Sequence, residues 1–388
     1  MNVVHVLTRL LKAGSEENTL VSCRHQVAQG HDVTLVHGAE FDRDVRATAE
    51  RAGVRVIELR TLVHPIAPRD DYRAWLELAR LLRQLRADVV HTHQSKAGVI
   101  GRLAARRAHV PIVVHGVHIL PFVHVSRAKA ALYVAAERIC AANTDAFVSV
   151  SPALRAAYLA HGIGRADRHF VAYSAMDVGR FQGARPATDW AELLGVAPAQ
   201  PRPPTAVMLA AFEPRKRHLE LVRALPAAFA GLRDWRVVFA GQGELEPAVR
   251  ALVAELGLAD RVRFAGFRAD PEAVVALADA CLLTSMREGL PRVLVQYVAA
   301  GKAVVASELP GLDEVVADGT SAVITPSDDV SAAAAAVARL LADPAERARL
   351  EAGARAIDVT RWSPAAMNAR IDEVYRLCRA RKGLAVAA

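Results

Sequence analysis

Cysteine is scarce in this sequence. The 388 residues include four cysteines, and no two of them have CxxC or metal-ligand spacing. They are Cys23, Cys140, Cys281 and Cys378. Small secreted domains held together by disulfides are dense in cysteine, so that class is excluded. We expect reduced thiols in a cytosolic protein, most of them filling the core.

Long apolar runs are absent as well. A transmembrane helix needs about 18 or more largely uncharged apolar residues, and no such stretch occurs. The nearest approach, residues 110–125, contains three histidines and two prolines. The start, MNVVHVLTRLLK, lacks the basic beginning and long apolar core of a secretory signal. We therefore expect a cytoplasmic protein that is at most peripheral on the inner face of the cell membrane.

Acidic residues are under-represented in the first half. Residues 1–183 contain 24 Lys and Arg against 16 Asp and Glu, a difference of +8, and the remainder contains 25 of each. One interpretation is a basic soluble surface. The other is a half that works beside an anionic membrane or a phosphorylated lipid. Arg102, Arg106 and Arg107 are expected at the surface of a helix, as candidates for lipid headgroup contact.

Nucleic-acid binding is not indicated by the basic residues. Nucleic-acid-binding proteins commonly interleave basic and aromatic residues or carry a recognisable motif. Neither feature occurs in this sequence, in which only 5% of the residues are aromatic. We expect no nucleic-acid partner.

The chain alternates β-branched runs with helical patterns. In the first half, buried parallel strands are predicted at NVVHVLT, HDVTLVHG, VRVIELR, DVVHTH, PIVVHGVH, AFVSVS and HFVAYS. Helices are predicted between them, over 16–29, 71–85, 95–107, 129–142 and 152–161. The alternation lapses near 175–204, which is rich in proline and glycine, and restarts with TAVMLAAF, WRVVFAG, RVRFAG, ACLLTS, AVVAS and AVIT.

Repeated strand–helix units predict an α/β protein with two doubly wound, Rossmann-like domains. The predicted organisation is a first domain over 1–178, a linker over 179–204, a second domain over 205–362, and a C-terminal helix over 363–388 that crosses back to the first domain. Ligands of open parallel sheets bind at the carboxyl ends of the strands. Two such domains facing each other would form a cleft lined by strand ends from both.

The segment 287–301, REGLPRVLVQYVAAG, places a carboxylate before a buried helix. Pro291 suits the first helical turn because its missing N–H costs nothing there. The helix would point free amides at a phosphate, with Gly289 allowing close approach. Glu288 would accept hydrogen bonds from hydroxyls. The plainer alternative is that Glu288 only caps the helix.

These segments together resemble a known family. EGLPRVLVQYVAAGKAVVA, followed by PGLDEVVADG, is similar to the donor-site signature of retaining GT-B glycosyltransferases of the GT4 type. AAFEPRKRHLELVRAL resembles that family's basic phosphate loop, and KAGSEENTLVSCRHQVAQGHDVTLVHG its N-terminal glycine loop and helix. DVVHTHQSKAGVIGRLAARRAHVPIVVHGVHIL resembles the segment with its active-site histidine. The resemblance spans roughly residues 5–385 and implies the GT-B fold, two Rossmann-like domains facing each other across a cleft.

The resemblance assigns roles to individual residues. Glu288 would hold hydroxyls of the transferred sugar, His118 would lie beside it, and Lys216 would neutralise the diphosphate. The other candidates for donor binding are Gly14, Arg215, Gly289, Leu290, Pro291, Gln296, Phe267 and Glu314. The candidates for acceptor contact are His93, His124 and Lys96.

Three positions depart from the family pattern. Gln296 stands where a second glutamate is usual, and its amide oxygen can still accept hydrogen bonds. Ala211 replaces an arginine, which removes a bidentate phosphate contact and leaves Arg215 as a substitute. Ala13 replaces one of two glycines. These changes bear on donor binding more than on the fold.

A resident metal is not expected. Thirteen of the fourteen histidines lie in residues 1–183, and a zinc site is conceivable. However, His91 and His93 alternate on a strand with no Asp or Cys completing a ligand set, so buried or hydrogen-bonded histidines are the simpler interpretation. A lysine and a helix N-terminus on the departing phosphate would replace a metal, so we expect no obligatory cofactor.

The predicted function is transfer of a hexose or N-acetylhexosamine from a nucleotide-diphosphate sugar. The resemblance implies retention, with the leaving phosphate taking the acceptor's proton. A UDP-sugar is favoured over a GDP-sugar, and the acceptor is expected to be a glycan or lipid-linked molecule of cell-surface polysaccharide synthesis. Two alternatives stay open: a non-catalytic sugar-nucleotide-binding scaffold, and a sugar-nucleotide epimerase on the same fold. A nicotinamide dehydrogenase is disfavoured because no GxGxxG follows the first strand.

Overall fold

The chain folds into two compact units. The structure is a computed structural model that describes residues 1–123, 125–197, 199–288 and 291–384. The first unit comprises Met1–Ala175 and Pro364–Ala388, and the second comprises Met176–Ser363. No helix among the described residues is both long and apolar enough to span a bilayer.

The first unit is built on a seven-stranded sheet. Its strands are β1 (Asn2–Leu10), β2 (Asp32–Phe41), β3 (Arg55–Glu58), β4 (Val89–His93), β5 (Ile112–Val117), β6 (Ala146–Ser149) and β7 (His169–Val171). All neighbours pair in parallel, in the order β3-β2-β1-β4-β5-β6-β7. The interior strands are almost entirely buried, as expected for apolar runs covered by helices on both faces.

Seven helices surround this sheet in the described residues. They are α1 (Gly14–Ala28), α2 (Arg43–Arg51), α3 (Pro68–Gln84), α4 (Ser95–Ala108), α5 (Arg127–Ala141), α6 (Pro152–Ala160) and, at the end of the chain, α14 (Pro364–Arg381). Helix α2 was not predicted, because five of the nine residues of RDVRATAER are charged and only Ala49 is buried. Asp42 caps it by accepting hydrogen bonds from the Asp44 and Val45 amides.

The second unit repeats the plan with six parallel strands. They are β8 (Thr205–Leu209), β9 (Arg236–Ala240), β10 (Val262–Gly266), β11 (Ala280–Leu283), β12 (Val304–Ser307) and β13 (Ala322–Thr325), in the order β10-β9-β8-β11-β12-β13. The helices are α7 (Trp190–Leu194), α8 (His218–Ala228), α9 (Glu246–Glu255), α10 (Pro271–Ala276), α11 (Arg292–Ala299), α12 (Val330–Ala342) and α13 (Pro344–Arg355). The predicted pair of doubly wound parallel sheets is confirmed.

The stretch 179–204 is part of the second unit. Arg180 forms an ion pair with Glu272 at 2.8 Å, and Arg263 donates a hydrogen bond to the Leu193 carbonyl at 2.9 Å. Its proline and glycine content therefore reflects an irregular path along that unit.

The final helix belongs to the first unit. Met367, Ile371 and Val374 of α14 are buried in one apolar cluster with strand residues that include Val3 and Ile112. This contact covers a face of the sheet that the first 175 residues leave open.

The expected surface position of Arg102 is wrong. Its side chain is fully buried, and its guanidinium contacts the buried Glu137 carboxylate of α5 at 2.8 Å. Helix α4 packs against α5, and the arginine spans that contact. Arg106 and Arg107, on the same helix, are exposed as expected.

Candidate functional site

The loops after β8 and β11 meet in the second unit. These strands are neighbours in the sheet, and the strand order reverses between them. The carboxyl ends of strands at such a switch point open a crevice where α/β proteins bind ligands. Thr284 donates a hydrogen bond to the Lys216 carbonyl at 2.7 Å, and the Met286 amide donates to the Arg215 carbonyl at 2.9 Å. The two loops are thereby held together.

Glu288 lies between two cations on these loops. Its carboxylate forms an ion pair with the Lys216 ammonium and accepts a hydrogen bond from Arg215 Nη1 at 3.1 Å. The side chains of Glu288 and Lys216 are only 14% and 8% exposed. Arg215 also contacts Glu213, at 2.6 Å. The sequence predicted Lys216, Arg215 and Glu288 as site residues one by one, and the structure brings them together.

A cavity of about 510 Å³ opens beside Arg215. Pockets of about 300–1,000 Å³ are usual for small-molecule ligands. Its lining comes from three loops, and the residues are Glu213, Pro214, Arg215, Gln242, Gly243, Glu244 and Arg287. The cavity is therefore polar, and cationic groups line it near the Glu288 pair.

Two glycines allow the loops around this cavity to approach closely. A Cβ atom on Gly243 would lie 2.6 Å from the Phe212 carbonyl oxygen, and one on Gly241 would lie 2.0 Å from the Ala210 carbonyl oxygen. Gly241 also has φ of 155°, which favours glycine. Because the obstacles are backbone atoms, side chains at these positions would push the loops after β8 and β9 apart.

Helix α11 follows Glu288 in sequence and is hydrogen-bonded to strands of the sheet through Tyr297. The Tyr297 hydroxyl donates to the Leu282 carbonyl at 3.3 Å and accepts from the Leu209 amide at 2.7 Å. Pro291 was predicted in the first turn of this helix. It lies at the N-cap, immediately before the helix. Gln296 is half-buried in the helix. The predicted phosphate-turn residues Gly289 and Leu290 lie outside the described residues.

The first sheet has its own switch point, between β1 and β4. Gly14 begins α1 after β1, and Gln94 follows β4 with φ 61° and ψ 170°, a conformation that side chains rarely adopt. The Gln94 side-chain oxygen accepts from the Thr8 and Arg9 amides at 2.9 and 3.2 Å, and its nitrogen donates to Ser15 Oγ at 3.3 Å. Gln94 thus joins the start of α1 to the end of β4. Sequence reasoning missed it, since glutamine after a strand carries no special signal.

His93 and His118 lie together near the same edge of the first sheet. His93, the last residue of β4, is buried, and His118, just after β5, is half-buried. His93 Nδ1 and His118 Nε2 are 3.0 Å apart, a hydrogen-bond distance. His124, predicted as an acceptor contact, lies outside the described residues.

Burial keeps the histidines of this region neutral. It lowers the pKa of His118 and of His5 to about 4. The pKa values of His91 and His93 are also held well below 6.5, first by burial and then by repulsion from neighbouring histidines. These imidazoles are therefore uncharged at neutral pH.

The histidines of β1 and β4 form hydrogen bonds with their neighbours. Nitrogens of His5, His91 and His93 lie within 4.8 Å of one another, close enough for a shared ion. However, His5 uses one nitrogen on Gln26 and the other on His93, and His91 contacts the Tyr375 hydroxyl. Of the six ring nitrogens, His91 Nε2 alone has no hydrogen-bond partner among the described residues, so the arrangement fits hydrogen-bonded histidines better than a set of metal ligands.

The remaining predicted residues are dispersed. The Lys96 ammonium forms an ion pair with Asp71. Glu314 is half-buried at the end of a short 3₁₀ helix, and its carbonyl accepts a hydrogen bond from Arg361. Phe267 follows β10 and is 70% exposed. Their predicted roles in donor or acceptor binding remain predictions.

Two family models match the chain. Residues 13–174 match the glycosyl transferase 4-like domain, and residues 193–357 match the glycosyl transferases group 1 model. The matches fall within the first and the second unit respectively.

Curated relatives and a solved structure agree with these matches. The 2-deoxystreptamine glucosyltransferase of Streptomyces kanamyceticus is 31% identical over 299 residues, covering 72% of this chain and 76% of that protein. The UDP-Gal:alpha-D-GlcNAc-diphosphoundecaprenol alpha-1,3-galactosyltransferase of Escherichia coli is 27% identical over 263 residues, covering 66% and 67%. The crystal structure of Anabaena Alr3699/HepE in complex with UDP has a TM-score of 0.81 at 21% identity, covering 97% of this chain and 100% of that one. The structural match shows a shared fold.

Proposed function

The chain belongs to the group 1 glycosyltransferases, of the GT4 type with the GT-B fold, and from this premise we propose a donor, an acceptor and a mechanism. It is a glycosyltransferase of polysaccharide or glycoconjugate synthesis. The proposed reaction moves a hexose or N-acetylhexosamine from a nucleotide-diphosphate sugar to a glycan or lipid-linked acceptor, with retention of configuration.

The observation that carries the proposal is the ion pair between Lys216 and Glu288 at the switch point of the second sheet. Without ligand, each group neutralises the other in a nearly buried place. A donor diphosphate would take Lys216 and Arg215 as its counter-ions, which releases Glu288 to accept hydrogen bonds from sugar hydroxyls. In the loaded site the diphosphate would pair with both cations, and the sugar hydroxyls would supply the hydrogen bonds that the Glu288 carboxylate receives from those cations in the free site.

The chemistry needs little more from the protein. When the anomeric C–O bond breaks, the electron pair stays on the departing diphosphate, and negative charge grows there. Lys216 would stabilise that charge where it develops. The acceptor oxygen would attack from the same face and pass its proton to the departing phosphate, so no protein base is required. We propose that no metal is obligatory for this step.

A UDP-sugar is the proposed donor. The Escherichia coli relative is named for UDP-Gal, and HepE was crystallised with UDP. The cavity beside Arg215 has the volume that a nucleotide requires. The cavity would suit either base, and the two names favour UDP over GDP.

A lipid-linked acceptor is supported by an apolar and basic surface on the first unit, which we call the 119–139 surface. Half of the ten most exposed large apolar side chains of the described residues belong to it. They are Ile119, Val123, Val125, Leu132 and Ile139. Arg127, Lys129 and Arg138 of the same segment are also exposed. Apolar side chains interspersed with cations are typical of surfaces that bind anionic membranes, and the relative above acts on a diphosphoundecaprenol-linked sugar.

The function is tested with the purified full chain. It is incubated with UDP-glucose, UDP-galactose, UDP-N-acetylglucosamine or GDP-mannose and a polyprenyl-diphosphate-linked N-acetylglucosamine. We expect transfer from a UDP-sugar, with the anomeric configuration kept, and thermal stabilisation by UDP exceeding that by GDP, ADP or TDP. If the protein shows no transfer and no hydrolysis with any of these donors, the proposal is refuted. Transfer from GDP-mannose alone would refute the donor assignment.

The 119–139 surface gives a prediction for membrane binding. Replacing Leu132 and Ile139 together by serine is expected to weaken binding to phosphatidylglycerol vesicles about tenfold or more, because each leucine-sized side chain contributes about 1.5–3 kcal/mol when fully buried in an apolar phase. Vesicle co-sedimentation at two salt concentrations measures it, and wild-type binding should fall at high salt. The control is Leu256→Ser, an exposed leucine of the second unit. Equal binding by all three proteins would show that this surface does not meet lipid.

A further inference from the structure

A line of three histidines in the first unit ends on an amide. The Gln26 side-chain oxygen is 2.8 Å from His5 Nε2, His5 Nδ1 is 3.0 Å from His93 Nε2, and His93 Nδ1 is 3.0 Å from His118 Nε2. The four residues come from α1, β1, β4 and the end of β5, so the fold assembles the line from distant sequence. His5, His93 and Gln26 are buried, and only His118 is half-buried.

Such a line transmits a choice of tautomer. A neutral imidazole has one N–H donor and one lone-pair acceptor, so a nitrogen that accepts at one side forces its partner nitrogen to donate at the other. Burial lowers the pKa of all three imidazoles below neutrality, so none carries both protons. The state of one end therefore fixes the state of the other.

The amide of Gln26 supplies the fixed end. Its oxygen can only accept, so His5 donates from Nε2 and accepts at Nδ1 from His93 Nε2–H. His93 Nδ1 then accepts from His118 Nε2–H. The Gln26 oxygen lies 2.8 Å from His5 Nε2, and the amide nitrogen lies 3.5 Å from the Tyr375 hydroxyl, a distance at the limit of a hydrogen bond. Because a neutral amide does not take up a proton, the line fixes a tautomer and does not conduct protons.

We propose that Gln26, acting through His5 and His93, holds His118 as the Nε2–H tautomer, so that His118 Nδ1 is a hydrogen-bond acceptor for a substrate hydroxyl. In the described part of the chain, no residue forms a hydrogen bond with Nδ1, which leaves it available. The inference rests on the proposed function, since His118 is placed beside a sugar by resemblance. Gln26, His5 and His93 are positioning residues.

Gly116 makes this contact feasible. A Cβ atom there would lie 2.8 Å from His93 Nδ1 and 3.0 Å from His118 Nε2, the two atoms that share the last hydrogen bond. Gly116 is in β5 and is not one of the glycines with positive φ, so alanine can adopt its backbone conformation. Gly116→Ala therefore acts on that bond without introducing or removing a titratable group.

The tautomer is measured directly on the full chain labelled with ¹⁵N in its histidine rings. Nitrogen shifts and ring couplings distinguish the two neutral tautomers, and His118→Gln assigns the His118 signals. We expect wild-type His118 as Nε2–H, and both tautomers in Gln26→Met, which keeps volume and removes the amide. Gln29→Met, at the exposed residue that caps the C-terminus of the same helix, is the matched control and should match wild type.

Transfer kinetics give the second readout. Gln26→Met should lower kcat about threefold to tenfold, as for loss of one neutral hydrogen bond, with thermal stabilisation by UDP unchanged. Gly116→Ala should mix the tautomers in the same way, and it serves as the test should Gln26→Met not fold. The proposal would be overturned by any of three results. Wild-type His118 could be the Nδ1–H tautomer, the His118 tautomer could be unaltered in a folded Gln26→Met or Gly116→Ala protein, or stoichiometric zinc could bind at His5 and His93. If the wild-type protein transfers no sugar, the proposed function fails, whereas the tautomer result is still read from the spectra.

Discussion

Replacing Lys216 by methionine is expected to lower kcat for glycosyl transfer by about 10²–10³-fold, the usual cost of removing one group that stabilises charge in the transition state. The Lys216 ammonium is paired with Glu288 and lies at the carboxyl end of the second sheet, where the departing diphosphate is proposed to bind. Methionine keeps the length of the side chain but removes the charge. Arg215 still contacts Glu288, so the carboxylate retains a partner and the fold should survive. Steady-state product formation gives kcat and KM.

Three companion variants show whether the loss is specific. Lys216→Arg keeps the charge in a different shape and should recover part of the rate. Glu288→Gln should also lower kcat, and its effect should not add fully to that of Lys216→Met, because the two residues act as one unit. Arg223→Met removes an exposed cation of α8 and should change nothing. A Lys216→Met protein with the wild-type kcat would show that the ammonium does not act on the leaving group.

Replacing Arg102 by methionine is expected to lower the free energy of unfolding of the first unit by about 3–5 kcal/mol. Arg102 is fully buried between α4 and α5, where its guanidinium contacts Glu137 at 2.8 Å and the Gly98 carbonyl at 2.7 Å. The variant leaves the Glu137 carboxylate, 2% exposed, without its counter-charge. Urea unfolding followed by circular dichroism, with hydrogen exchange in α4 to identify the unit, measures the change.

The double variant separates pairing from packing. Arg102→Met with Glu137→Leu should regain most of the loss, because a buried ion pair can be replaced by apolar side chains at little cost. Arg106→Met, at an exposed position of the same helix, should change the stability by less than about 0.5 kcal/mol. A single variant that loses under about 1 kcal/mol would contradict a role for the pair in stability.

Much of the fold could be predicted from the sequence because its strands are fully buried. Runs such as VVHVL and ACLLT are apolar on both faces, which is typical of parallel strands between helix layers. The residues that follow those runs were predicted as site residues because ligands of open parallel sheets bind at the carboxyl ends of the strands. Lys216 and Glu288 come after β8 and β11, and the sheet order makes these strands neighbours. Strand ends and family motifs thus led to the same positions.

What the sequence did not show depends on contacts between distant elements. Arg102 was expected at the surface together with Arg106 and Arg107 of the same helix, and nothing in the pattern indicates that Glu137 of another helix lies opposite. The roles of Gln26 and Gln94 were missed for a related reason. Each is an ordinary polar residue locally and acquires its importance from partners more than 20 positions away, His5 for Gln26 and Thr8 for Gln94.

The return of α14 to the first unit has a consequence for synthesis on the ribosome. The sheet face formed by Val3, Val89 and Ile112 is covered by α14, which is translated only after residues 176–363. At about 5–20 residues per second, those 188 residues take roughly 10–40 s to translate. During that interval the nascent first unit presents an apolar sheet face while the second unit emerges and folds. Chaperones that bind exposed apolar faces would therefore have more time to act on the first unit than if its first 175 residues completed it.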